Sequence, residues 1–152
     1  MSRATRQQGF SLVEVMVALV VLSVGMLGIA GLYVTSLRSG GGAIYRMQAV
    51  NLASDLADRI RANPGANVAY MGAAANNNCY GAGAALCLPP AMAANDLLVW
   101  NTQLANILPN GLGVVNAVVV PGSANLYAYT ITITWNEPGA NAPLSYTLNL
   151  QI

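Results

Sequence analysis

Histidine and lysine are both absent, and charge of either sign is scarce: 7% of the 152 residues are charged, for a formal net charge of +1. Without them the chain can build no Ser-His-Asp triad, no lysine Schiff base and no imidazole metal site. The acids are few as well, and beyond Arg61 only Asp96 and Glu137 remain, so no carboxylate pair suggests itself. Gly81-Ala82-Gly83 is too short for a nucleotide-binding fingerprint. This inventory speaks against an enzyme and implies no cofactor and no metal. No basic residue follows Arg61, which leaves no electrostatic footprint for nucleic acid. The only cysteines, Cys79 and Cys87, cannot complete a zinc site alone. They form either a disulfide closing a short loop, if the region lies outside the cytoplasm, or two buried free thiols.

What the chain has in excess is apolar surface, 55% of its residues being hydrophobic, and this is too much for an ordinary soluble domain. From Val15 to Leu37 there is no charge at all. As a helix rising about 1.5 Å per residue, this run reaches about 35 Å, enough to cross a hydrocarbon core of about 30 Å. Arg3 and Arg6 precede it and Arg38 alone follows, so the positive-inside rule places the N-terminus in the cytoplasm and the cysteines on the far, oxidising side. A secretory signal peptide has a similar plan, and Gly28-Ile29-Ala30 resembles a cleavage site. Against that stands Glu14, at the start of the apolar run. A carboxylate well inside a bilayer costs about 2.5–3.5 kcal/mol, so Glu14 calls for a partner.

Gly9-Phe10-Ser11-Leu12-Val13-Glu14, behind a short basic leader and ahead of the apolar run, resembles the leader of type IV prepilins and type II secretion pseudopilins. The resemblance implies cleavage by a prepilin peptidase between Gly9 and Phe10, N-methylation of Phe10, and a role in assembly for the Glu14 charge. Residues 1–9 would be removed. Gly25, Gly28 and Gly31 would let neighbouring helices approach closely. Met26-Leu27-Gly28-Ile29-Ala30-Gly31-Leu32 and the run Leu52–Pro64 resemble PilV-type minor pilins, also called type IV pilus modification proteins. The implied partners are the prepilin peptidase, other minor pilins, the major pilin and the assembly platform in the inner membrane. The implied location is the inner membrane, with one pass and a periplasmic C-terminal domain, and then the pilus, in the service of adhesion and twitching motility.

Residues 10–38 read as the transmembrane and polymerisation helix, 39–64 as its amphipathic half and 65–152 as the periplasmic globular part. Ile44, Met47, Val50, Ala53, Ala57 and Ile60 recur at helical spacing. Gly40-Gly41-Gly42 departs from an uninterrupted helix, each glycine costing about 1 kcal/mol relative to alanine, and the sequence leaves open whether the helix breaks there. Asn63-Pro64-Gly65 stops it. Asp55, Asp58, Arg59 and Arg61 are either subunit contacts or a solvated face. Ala66–Ala94 reads as a long loop, followed by a helix capped by Asn95 or Asp96 and running to about Leu108, with Trp100 as a core anchor. Val114–Val120 is rich in β-branched residues, and Tyr127–Trp135 and Leu144–Ile152 alternate with period two. The loop 136–143 joins the last two as a hairpin. The expected fold is therefore α+β and type IV pilin-like: a long N-terminal helix packed on a C-terminal antiparallel sheet.

Three functions fit this reading. The leading one is a minor pilin that joins the filament and helps to start or modify it. The second is a type II secretion pseudopilin, and the third a membrane-anchored protein that captures a ligand through the Cys79–Cys87 loop.

Overall fold

The structure, a computed structural model, describes residues 9–123 and 125–152, with the backbone alone at Arg38 and Ser39. The leader with Arg3 and Arg6 therefore lies outside the described residues, except for Gly9. The chain divides at Gly40/Gly41 into two compact units.

The first unit is helical. Helix α1 (Leu12–Ala62) begins at the serine of Ser11-Leu12-Val13-Glu14, whose side-chain oxygen accepts the Glu14 backbone N–H at 3.3 Å. An N-terminal donor that the helix itself leaves unpaired is thereby satisfied. The helix contains a stretch long and apolar enough to cross a membrane, and none of that stretch is buried. The glycine triplet Gly40–Gly42 lies inside α1 and does not interrupt it. A propensity cost of about 3 kcal/mol is small against tertiary packing of the helix that continues beyond it.

The second unit holds the core. Ala49, Leu52, Ala53, Leu56, Ala57 and Ile60 form the buried stripe of α1. After Asn63 a short 3-10 helix (Pro64–Met71) follows, kinked at Asn67, whose φ is 47°. The Tyr129 hydroxyl donates to the Asn67 carbonyl at 2.8 Å and holds that kink. Helix α2 (Pro89–Ile107) starts earlier than the expected cap at Asn95 or Asp96. Pro89 and Pro90 open its first turn, where a missing N–H costs nothing and the fixed φ already suits a helix. Asn95 and Asp96 are instead inside α2 and buried. The stretch 66–94 is accordingly not one long loop, because both of its ends are helical.

Three antiparallel strands complete the unit in the order β1 (Leu112–Val119), β2 (Tyr127–Trp135), β3 (Leu144–Gln151). In β2 the odd-numbered residues from Tyr129 to Trp135 are buried while the threonines between them are half-buried. The opposite face of the sheet carries Thr130 against Asn149 and Thr132 against Thr147. Trp100 is fully buried and donates its indole N–H to the Leu52 carbonyl at 2.9 Å, pinning α2 to α1. The result is the α+β architecture that the strand alternation and the amphipathic half-helix require.

Candidate functional site

The functional residues expected at the N-terminus stand fully in the open. Phe10 is 83% exposed, and the large apolar residues of α1 from Leu12 to Leu37 are exposed as well. The Glu14 carboxylate makes no hydrogen bond or ion pair among the described residues. Positions Gly25, Gly28 and Gly31 have open space where a Cβ would stand. Among the described residues nothing uses their smallness.

A second cluster forms where α1, the 3-10 helix, α2 and the cysteine loop meet. Its centre is Asp96, 2% exposed. Arg59 Nη1 donates to Asp96 Oδ1 at 3.1 Å, the Tyr70 hydroxyl donates to Oδ2 at 2.7 Å, and the Tyr80 hydroxyl donates to Oδ1. A buried carboxylate is tolerable only when its lone pairs are occupied in this way. Arg59 also donates through Nε to Asp55 at 2.9 Å. Burial alone would lower the Arg59 pKa, but the hydrogen bonds and charges of Asp55 and Asp96 outweigh it and raise the value. Burial, and then the Asp96 carboxylate, push the Tyr70 phenol well above its ordinary range, and the same two causes raise Tyr80.

Tyr80 lies in the loop closed by the bond between Cys79 and Cys87, whose Cα atoms are 5.7 Å apart. That loop is further stitched to α2. The Asn77 backbone N–H donates to Asn95 Oδ1 at 3.0 Å, and Asn77 Nδ2 donates to the Ala91 carbonyl at 2.8 Å. Arg59 is thus engaged inside its own subunit. Asp58 and Arg61, paired at 2.7 Å, remain exposed on α1.

The sequence carried signals for parts of this arrangement. Asp96 is one of only two acids after Arg61, so a buried use was legible in principle, and tyrosines such as Tyr70 and Tyr80 normally seek an acceptor when buried. The Ser-x-x-Glu pattern of Ser11 and Glu14 is a capping signature. Among the described residues no group of three or more His, Cys, Asp or Glu side chains could hold a metal ion.

Residues 4–30 match the family model of the prokaryotic N-terminal methylation motif, and residues 31–98 match that of type IV pilin Tt1218. The chain belongs to the type IV pilin-like family. The two matched stretches adjoin and divide the sites between them. The methylation motif covers Gly9, Phe10, Glu14, Gly25 and Gly28, and the pilin model covers Gly31, Asp55, Asp58, Arg59, Arg61, both cysteines and Asp96. No curated protein and no solved structure matches this pilin-like chain. Membership makes it a pilin or pseudopilin-type structural subunit, and the Asp96 cluster serves to hold that subunit's domain together.

Proposed function

We propose that this chain is a PilV-type minor pilin, cut by a prepilin peptidase between Gly9 and Phe10, methylated on Phe10, and assembled through α1 into a type IV pilus. The observation that carries this reading is an apolar helical stretch, Leu12 to Leu37, that is left exposed and that begins inside a methylation motif. Such a surface needs lipid before assembly and neighbouring helices after it. Within the helix Glu14 has no partner of its own among the described residues. The amine that cleavage creates at Phe10, on the same or a neighbouring subunit, compensates that charge and sets the register of packing. Arg3 and Arg6 keep the N-terminus cytoplasmic, and the disulfide domain faces the periplasm. The minor pilin assignment is supported by the run Leu52–Pro64, which supplies the buried stripe, the Arg59 anchor and the helix stop.

Mass spectrometry of the N-terminus tests this. The wild-type chain begins at N-methylated Phe10 and is found in sheared pili, whereas Gly9→Val retains the leader because the peptidase needs a residue without a side chain there. Methylated Phe10 at normal yield from Gly9→Val refutes the cleavage site. Wild-type protein present in a secretion complex and absent from pili means a pseudopilin.

A further inference from the structure

The two edges of the sheet are not alike. Tyr127 and Ile152 exchange both backbone bonds, N–H to O at 2.7 and 3.0 Å. Such mutual pairs alternate along an antiparallel ladder. The register then makes Tyr129–Leu150, Ile131–Leu148, Ile133–Tyr146 and Trp135–Leu144 the other bonded pairs. The backbone groups of Ser145, Thr147, Asn149 and Gln151 therefore point away from β2, and they have no partner among the described residues. On β1 the same phase turns Gly113, Val115, Ala117 and Val119 outward. That edge is covered: the 3-10 helix packs on β1, and Met71 Sδ accepts the Ala117 N–H at 3.0 Å.

Nothing comparable protects β3. Its sequence, Leu144–Gln151, has no charge, no proline and no glycine, and so lacks the devices by which natural edge strands avoid pairing. On the dry face Leu144, Tyr146 and Leu148 are only partly buried. Beside them a groove of about 250 Å³ is lined by Arg46, Val50, Trp135, Leu144, Ser145 and Tyr146. Trp135 is 2% exposed, and its buried indole N–H has no acceptor among the described residues. Arg46, its side chain 67% exposed, is held among the described residues only by Glu137 at 3.8 Å.

We propose that the β3 edge and this groove receive an extended strand from a different polypeptide, which adds a fourth strand to the sheet. Main-chain bonds to Thr147 and Asn149 supply the pairing. Apolar side chains at alternate positions of the incoming strand cover Tyr146 and Leu148, and a carboxylate near the Leu144 end meets Arg46. The choice of a different chain rests on the filament reading above. A second copy pairing β3 with β3 would require a two-fold axis. Neighbouring subunits of a helical filament are related by a repeated rise and rotation, which is a head-to-tail relation without such an axis, and the β1 edge that a head-to-tail contact between copies would use carries the 3-10 helix.

Amide exchange of Thr147, Asn149 and Gln151 reads the edge directly. It is compared in the full chain purified alone in detergent, in the chain held in its mild-detergent membrane complex with co-purifying pilin-like subunits, and in the chain in sheared pili. The expected result is fast exchange in the purified chain and about tenfold or greater slowing in the complex or the pili. Thr147→Lys, on an outward-facing position, should leave the melting temperature of the purified chain unchanged and abolish that slowing. Amides that exchange equally fast in all three samples overturn the proposal, as does full protection in Thr147→Lys. Slowing that rises with the concentration of the purified chain alone means that a second copy covers the edge, and also overturns it. Protection in the membrane complex with no protein in pili removes the filament reading and leaves the strand site standing. Protein in pili with unprotected amides does the reverse.

Discussion

Two carboxylates, Glu14 and Asp96, illustrate opposite uses of a scarce residue type. Asp96 is surrounded by donors from three other segments, while Glu14 has none among the described residues, its neighbour Ser11 having taken over the capping of α1. Glu14→Val should therefore leave α1 and membrane insertion intact, since the change removes a costly charge. It should deplete the subunit from sheared pili, because the Phe10 amine is left uncompensated at a cost of several kcal/mol. Immunoblots of sheared pili set beside inner membrane measure this, and equal entry into pili sinks the charge-pairing mechanism. At Asp96 the test is alkaline. Tyr70 has its folded pKa raised above the ordinary 10.0, by burial and by Asp96. A raised folded value gives stability that is fully present below the unfolded pKa and is lost as pH rises through the folded one. Tyr80 and Tyr129 are shifted in the same sense. The melting temperature of the full chain in detergent should fall from about pH 10 upward. Tyr70→Phe should lower the unfolding free energy by about 1–3 kcal/mol near neutrality while flattening the alkaline slope. A slope identical to that of wild type would separate Tyr70 from the effect.

At the scale of elements, Gly113 on β1 decides how closely α2 can lie. A Cβ there would stand 2.2 Å from the Trp100 ring and 2.6 Å from Leu104 Cδ1, inside a core with no room to yield. Gly113→Ala should destabilise the domain by about 1–3 kcal/mol or more. Gly41→Ala, with open space around it, should be neutral or stabilising by up to about 1 kcal/mol. Thermal unfolding of the two variants compares them, and equal melting temperatures would refute the packing argument. This contrast also shows what was readable. Strands β2 and β3 were legible because alternation is local: each odd residue of β2 from Tyr129 onward is buried as its period requires. The start of α2 was not, since Pro89-Pro90 suits a loop as well as a first helical turn, and the polar pair Asn95-Asp96 imitates a cap. Their partners Asn77, Arg59, Tyr70 and Tyr80 lie far away in sequence, and no local pattern announces such contacts. Gly113 gave no signal for the same reason.

For the whole molecule, the division of labour is between the first part of α1, whose large apolar residues up to Leu37 are exposed, and a domain that holds the buried core. All the core residues, from Ala49 to Leu150, lie after Gly41, together with the disulfide and the Asp96 cluster. The apolar residues of α1 up to Leu37 are exposed and none belongs to that core, so their removal should cost the domain little beyond fraying of a shortened helix end. A fragment from Gly41 to Ile152 should therefore fold cooperatively without detergent, oxidise Cys79 to Cys87, and melt within a few degrees of the full chain held in detergent. The first turn of its helix is the vulnerable part, because Arg46 and Gly42 sit there beside Glu137. An ion pair that exposed contributes on the order of 0–1 kcal/mol, too little to decide folding. Circular dichroism, calorimetry and thiol alkylation of the fragment measure the outcome. Broad unfolding, dye binding to exposed apolar surface and two alkylatable thiols would show that the domain depends on residues before Gly41, and that the pilin-like chain is one cooperative unit.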